Sequence, residues 1–191
     1  MRIDSRTALL AMVVGAFFAL AGCASTSSVP SEGAKNLYLL YGNGAEEIET
    51  ILPEAGELRV YWFWSSQSQC SRRAEPGIGQ LMQAHPDVEV LLVHSNADES
   101  STMGREVAEK RELPAPLYRD EGARLAVEFD ARMTPEVVVV DAEGVVYQGR
   151  PVRFEGERVV SFVSKSVDSY QRGEEVDPAY RRPSGCVIRR P

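Results

Sequence analysis

Leu58-Arg59-Val60-Tyr61-Trp62-Phe63-Trp64 runs directly into Ser65-Ser66-Gln67-Ser68-Gln69-Cys70-Ser71-Arg72-Arg73. The first seven residues are aromatic and β-branched, with Gly56 just upstream, and suit a buried central strand better than a helix. Polar Ser65 to Ser68 break the run. From Gln69 to Ala84 the apolar Ile78, Leu81 and Met82, together with Ala74, recur at helical spacing, and Pro76 and Gly77 predict a kink in the early turns. The stretch therefore reads as strand, serine-rich turn and helix, with Cys70 at the helix opening.

The same alternation continues outward. Downstream, Val88 to His94 is a second buried strand with Asn96 to Ser101 as its exit loop, and a helix carrying Val107 and Ala108 runs to about Glu112. Leu117-Tyr118 is a brief strand and Glu121 to Phe129 a helix. Glu136 to Asp141 pairs with Val145 to Gly149 in a hairpin turning at Ala142-Glu143-Gly144, and Glu157 to Arg172 fits a last amphipathic helix. Upstream, Asn36 to Tyr41 is a strand ended by Gly42-Asn43-Gly44, and Ala45 to Leu52 carries helix formers before Pro53. Strands alternating with helices, with no solenoid repeat, predict an α/β fold: a central mixed sheet covered on both faces.

Residues 173–191 contain Pro178, Pro183, Gly185, four arginines (Arg181, Arg182, Arg189, Arg190) and Cys186. This is the composition of a disordered tail, its arginines a solvated basic end on an acidic body. The 191 residues are 43% apolar and 26% charged, ordinary for one globular domain with appendages. With 21 Lys+Arg against 28 Asp+Glu the net charge is −7, the wrong sign for a nucleic-acid binder.

At the N-terminus, Arg2 and Arg6 precede an uncharged apolar run from Ala8 to Ala21. That run is shorter than the roughly 20 residues a membrane span needs and reads as an export signal. Leu20-Ala21-Gly22-Cys23 resembles the lipobox of bacterial lipoproteins, which implies a signal peptide at 1–22, a lipid on Cys23 as the mature N-terminus and attachment to the membrane through that lipid. Ala24 in the next position implies sorting to the outer membrane, facing the periplasm. Residues 23–35 are small and polar, as suits a tether, so the domain is expected over 36–172 with 173–191 as its tail. Two thiols, Cys70 and Cys186, remain for an oxidising compartment, where each must be buried, bonded or functional.

Phe63-Trp64-Ser65-Ser66, Ser95-Asn96-Ala97-Asp98-Glu99, Arg119-Asp120-Glu121-Gly122 and Thr134-Pro135-Glu136-Val137, in this order, resemble the thioredoxin-like superfamily, in particular exported redoxin-domain proteins related to thiol-specific antioxidant and thiol-disulfide exchange enzymes. The resemblance spans about Asn36 to Arg172 and implies a three-layer fold in which Thr134-Pro135 is cis and faces the active-site turn, where the neighbouring backbone can pair with an extended substrate. The departure is at the turn: where the family has Cys-x-x-Cys, this chain has Ser68-Gln69-Cys70-Ser71, followed by Arg72. A hydroxyl replaces neither thiol of a dithiol pair, because its pKa lies far above neutrality.

What the resemblance leaves is a single thiol, Cys70, at a helix N-terminus where backbone N–H groups and nearby Arg72 and Arg73 favour an anion; the structural alternative is an inert core thiol. Gly185-Cys186-Val187-Ile188-Arg189 resembles a Gly-Cys-x-Ile-Lys/Arg tail of some such proteins. Together with the leftover Cys70 it implies a Cys70–Cys186 pair, with Cys186 resolving. The expectation is thus a thiol-disulfide oxidoreductase acting on periplasmic protein thiols or disulfides, with no cofactor and no metal. A redox-inactive binding module for an envelope protein or peptide is the alternative. The Pro-x-x-x-Thr-x-x-Cys arrangement of peroxiredoxins is absent, Phe63 and Gln67 standing in its first two positions. His85 and His94 lack ligand spacing, the serines lack the Gly-flanked elbow of a hydrolase and read as helix caps, and Asp98, Glu99, Asp120 and Glu121 read as solvated loop carboxylates.

Overall fold

A computed structural model describes residues 36–191; the expected signal peptide at 1–22, the expected lipid site Cys23 and the expected tether lie outside the described residues. In chain order the strands are β1 (Leu37–Tyr41), β2 (Glu47–Ile48), β3 (Arg59–Phe63), β4 (Glu89–His94), β5 (Leu117–Asp120), β6 (Met133–Thr134), β7 (Glu136–Asp141), β8 (Gly144–Gly149), β9 (Val152–Glu155), β10 (Arg158–Ser161), β11 (Tyr180–Arg181) and β12 (Cys186–Val187). The helices are α1 (Gln69–Ala84), α2 (Ser101–Arg111), α3 (Arg124–Glu128) and α4 (Phe162–Gln171). Eight strands form one mixed sheet in the order β11-β8-β7-β3-β4-β5-β1-β2, with β3, β4 and β5 parallel and β7 antiparallel to β3. This is the expected central mixed sheet with helices on both faces.

Strand β3 is the spine because it is buried on both sides. Its period of two sends Val60 and Trp62, and Trp64 just beyond, into one apolar cluster with Ile78 and Leu81 of α1 and Val163 and Val167 of α4. Tyr61 and Phe63 go into the opposite cluster with Leu125 and Ala126 of α3. Helix α1 runs unbroken through Pro76, and Gly77 lets it close on the sheet layer: a Cβ there would stand 2.7 Å from Val152 Cγ1.

Three elements differ from the sequence reading. Ala45 to Leu52 is not a helix; Glu47–Ile48 returns as an edge strand on β1, with Leu37 opposite Ile48. Arg59 Nη1 and Tyr61 Oη donate to the carbonyls of Thr50 and Ile51 at 2.5 and 2.6 Å and tie the segment that follows the edge strand to β3. The first turn of the expected last helix is instead the β9–β10 hairpin about Gly156, where β-branched Val159 and Val160 pair with Arg153 and Phe154, and Ser161 caps α4 by accepting from Ser164 N at 3.0 Å. Glu121 to Phe129 divides into a 3-10 turn at Glu121–Ala123 and short α3, whose opening N–H groups, Leu125 and Ala126, donate to the buried Asp120 carboxylate at 2.9 and 3.1 Å. Asp120 is therefore a helix cap rather than a solvated loop residue.

The tail is the largest correction, because composition read it as disordered and the structure seats it. β11 adds to β8 at Gly149, where a Cβ would collide with Arg181 O at 1.7 Å. β12 pairs antiparallel with β6, Cys186 opposite Thr134. Beyond it Ile188 is 4% exposed, within the cluster that holds Tyr61 and Phe63, and Arg190 Nη2 donates to the carbonyls of Ala126 and Ala131 at 3.1 and 2.5 Å. A low-hydrophobicity segment is ordered here by one buried side chain and by backbone groups that the domain leaves open. Ile188→Ala is expected to cost about 2–5 kcal/mol in urea unfolding. Val187→Ala, at a side chain 66% exposed, should stay within about 0.5 kcal/mol. Equal, negligible effects would mean that the tail is not part of the folded core.

Candidate functional site

Ser68 is the N-cap of α1: its backbone is extended and its hydroxyl accepts from Ser71 N at 3.0 Å. Ser68 thus satisfies the helix start. Ser71 is buried and its hydroxyl accepts from Ser65 N at 3.3 Å, closing the same turn. Opposite lies the cis Thr134–Pro135 bond, as the resemblance implies, with the Ser68 hydroxyl 3.3 Å from Thr134 O. Cys70 is exposed in the first turn, Gln69 is exposed beside it and Arg72 is exposed on the helix surface.

Cys186 is half-buried, and its sulfur meets the opening of α1. The Ser68 hydroxyl, the opening N–H groups of α1 at Gln69 and Cys70, and the Cys70 thiol are its polar neighbours. The two cysteines are therefore in contact but not bridged. Their thiols are driven in opposite directions. The Ser68 hydroxyl, against the cost of burial and with help from the two N–H groups and the Cys70 thiol, holds Cys186 below the ordinary thiol value. Burial and the adjacent Cys186 push Cys70 up, and the nearby Arg73 only partly compensates. The anion-stabilising end of α1, expected to serve Cys70, lies against the tail cysteine instead, because β12 crosses that helix end at Thr134.

Beneath the turn is a charge that the sequence reading placed in solvent. Glu99 is 3% exposed and accepts from Ser65 Oγ at 2.5 Å, Ser66 N at 2.8 Å, Ser66 Oγ at 2.5 Å and Asn96 Nδ2 at 2.5 Å, with His94 Nε2 at 3.2 Å. His94 Nδ1 faces Arg119 Nη1 at 2.9 Å, and a guanidinium only donates, so the imidazole proton sits on Nε2 and points at Glu99. Burial alone would raise the Glu99 carboxyl; the bonds from His94, Ser65, Ser66 and Asn96 together outweigh it and hold the group far below the usual carboxylate range. Ser65 Oγ in turn accepts from Ser68 N at 3.1 Å, so the anchored carboxylate sets the residue that caps α1. His94, Glu99, Asn96 and Arg119 are the site residues that the sequence reading missed. The available signal was His94 at the end of a buried strand, since an imidazole there needs polar partners.

The tail crosses this network. Ala97 N donates to Arg189 O at 2.7 Å, Arg189 N to Asn96 Oδ1 at 2.9 Å and Ile188 N to Arg132 O at 2.8 Å, while the Arg189 side chain pairs with Asp98 at 3.1 Å. A cleft of about 390 Å³ remains beside Cys186, lined by Ser65, Gln67, Ser68, Asn96, Asp98 and Glu99 as well as Val187 and Arg189. Among the described residues, no three His, Cys, Asp or Glu side chains converge as metal ligands, and no helix is long and apolar enough to cross a membrane.

The architecture is similar to that of several solved proteins. A hypothetical protein, SMc02350, from Sinorhizobium meliloti 1021 superposes with a TM-score of 0.71 at 17% identity over 86% of this chain and 95% of that one. A secreted Mycobacterium tuberculosis disulfide oxidoreductase homologous to E. coli DsbE gives 0.53 at 18% identity over 71% of this chain and 96% of that one. A thioredoxin-like protein from Porphyromonas gingivalis gives 0.52 at 14% identity over 76% and 91%. No protein-family model matches the chain, and no curated protein matches it in sequence. The likeness is one of fold, and the fold is thioredoxin-like.

The depressed Glu99 carboxyl has a definite consequence for stability. A group whose folded pKa lies below its unfolded value, about 4.3 for Glu, contributes fully above that value, and the contribution is lost as pH falls. Glu99→Gln is expected to cost about 1–3 kcal/mol at pH 7 through mismatched donors. Its deficit relative to the native chain should shrink as unfolding is measured at progressively more acid pH below about 4.3. A deficit that stays constant across that range would show that the carboxylate charge is not what the network holds.

Proposed function

We propose that this protein is a thiol-disulfide exchange protein whose attacking group is Cys186, presented by the tail, with Cys70 as its partner thiol. One observation carries the reading: β12 seats Cys186 opposite Thr134, whose carbonyl meets the Ser68 cap of α1, so the tail thiol lies at the start of that helix beside Cys70. The fold shared with a disulfide oxidoreductase supports it. The binding-module alternative needs an open groove beside Pro135, and β12 lies on that edge.

The chemistry balances with the groups present. The Cys186 thiolate attacks one sulfur of a disulfide R–S–S–R′, forming Cys186–S–R and expelling R′–S⁻, which takes the Cys70 proton. The Cys70 thiolate then attacks the Cys186 sulfur, closing the Cys70–Cys186 bond and releasing R–S⁻. Two electrons pass from the protein to the disulfide, and the reverse sequence oxidises a dithiol. Each thiol suits its step, since the attacking group needs to be ionised near neutrality while the second must wait until a leaving group can take its proton.

Iodoacetamide labelling with peptide mapping tests the assignment. Between pH 6 and 7, below the ordinary thiol pKa of about 8.5, Cys186 should be modified at least several-fold faster than Cys70, although Cys70 is the more exposed. Ser68→Ala should slow Cys186 by removing the neighbouring hydroxyl that holds its thiol below the ordinary value. Faster labelling of Cys70, or inertness of both in the folded chain, would overturn it.

The same proposal places the protein outside the cytoplasm as a lipoprotein anchored through Cys23, facing the periplasm from the outer membrane, on the strength of the Leu20-Ala21-Gly22-Cys23 motif. Incorporation of radiolabelled palmitate should disappear in Cys23→Ala, and persistent labelling of that variant would refute the anchor.

A further inference from the structure

Thioredoxin-fold exchange is usually pictured with an extended polypeptide along the strand edge beside the cis proline. In this chain that edge is filled by the chain itself: β12 pairs with Met133–Thr134, and Gly185 approaches so closely that a Cβ would stand 2.3 Å from Thr134 O. The next residues are held from both sides, Ile188 N on Arg132 O and Arg189 between Asn96 and Ala97, while the Ile188 side chain is buried. A polypeptide strand arriving here would have to break these bonds together. It would compete with a tethered segment whose effective concentration is on the order of millimolar or higher.

What stays open beside Cys186 is the cleft between the serine turn and the loop after β4, about 390 Å³ in volume and lined in part by Cys186 itself. That is within the roughly 300–1,000 Å³ of small-molecule sites. Its walls are polar, built from Ser65, Gln67, Asn96, Asp98 and Arg189 around the committed Glu99 carboxylate. We infer that the substrate taken by the tail-seated protein is a polar low-molecular-weight disulfide, of the kind formed by free amino-acid thiols, and not an extended polypeptide. This deepens the exchange reading and rests on it. With cystine the reaction consumes one disulfide and the Cys70 and Cys186 thiols, and yields two cysteines and the Cys70–Cys186 bond.

The test uses the reduced full chain and follows Cys70–Cys186 bond formation by differential alkylation and mass spectrometry. L-cystine is compared with a disulfide-linked dimer of an unstructured ten-residue peptide, each rate divided by that with N-acetylcysteine to remove intrinsic reactivity. The normalised rate with cystine should exceed that with the peptide at least ten-fold. Gly185→Ala, which cannot seat β12 against Thr134, should narrow the ratio to within about three-fold by opening the edge to the peptide. A native chain oxidised by the peptide as fast as by cystine overturns this inference and leaves exchange chemistry standing. No oxidation by either overturns both. The comparison in the native chain is decisive by itself should the Gly185→Ala variant fail to fold.

Discussion

A carboxylate taken out of water must be met by donors, and meeting the charge of Glu99 organises this site. Its oxygens gather the Ser65 and Ser66 hydroxyls, the Ser66 amide and the Asn96 amide, and His94 reaches it with the proton that Arg119 confines to Nε2. An unpaired buried carboxylate would cost several kcal/mol, so the serine turn has little freedom to rearrange. Ser65 passes that constraint to Ser68 N, and Ser68 caps α1. The direction in which the helix presents its free N–H groups follows from a charge one layer below.

A residue more than a hundred positions away in the chain, Cys186, is brought to that helix end by the pairing of β12 with β6. At the turn, Ser68 and Ser71 each make a structural bond, the first capping α1 and the second accepting from Ser65 N. A thiol reaches the same turn on β12, held there by strand pairing with Met133–Thr134. The serines and the tail thus form one arrangement. Caps at the turn provide a rigid anion-accepting helix end, and the tail supplies the sulfur that uses it.

The strand, turn and helix from Leu58 to Ala84 were legible because their signals are local: a bilaterally apolar run, a polar break, then a 3.6-residue period. The same holds for the hairpin at Ala142-Glu143-Gly144 and for Thr134-Pro135. Ala45 to Leu52 failed because helix propensity was overridden by two side chains, Arg59 and Tyr61, that reach its carbonyls across the sheet. The beginning of the last predicted helix failed because Val159 and Val160 found partner strand positions in Arg153 and Phe154. Glu99 was unreadable for a different reason: nothing in a run of polar loop residues says that a histidine, two serines and an asparagine from either side will close over one of them.

The sequence by itself determined the alternation of strands and helices through the central part of the chain, the class of fold, the absence of a Cys-x-x-Cys pair and the presence of two thiols, Cys70 and Cys186, beyond residue 36. These depend on periodicity and residue identity, which are local properties. Only the tertiary structure decided that residues 180–190 are seated rather than disordered, and that Cys186 rather than Cys70 holds the anion-stabilising position. Both turn on contacts between segments far apart in the chain. Gly185 against Thr134 O, Ile188 among Tyr61 and Phe63, and a sulfur on the end of α1 are created only when the fold closes, and no composition or spacing encodes them one segment at a time.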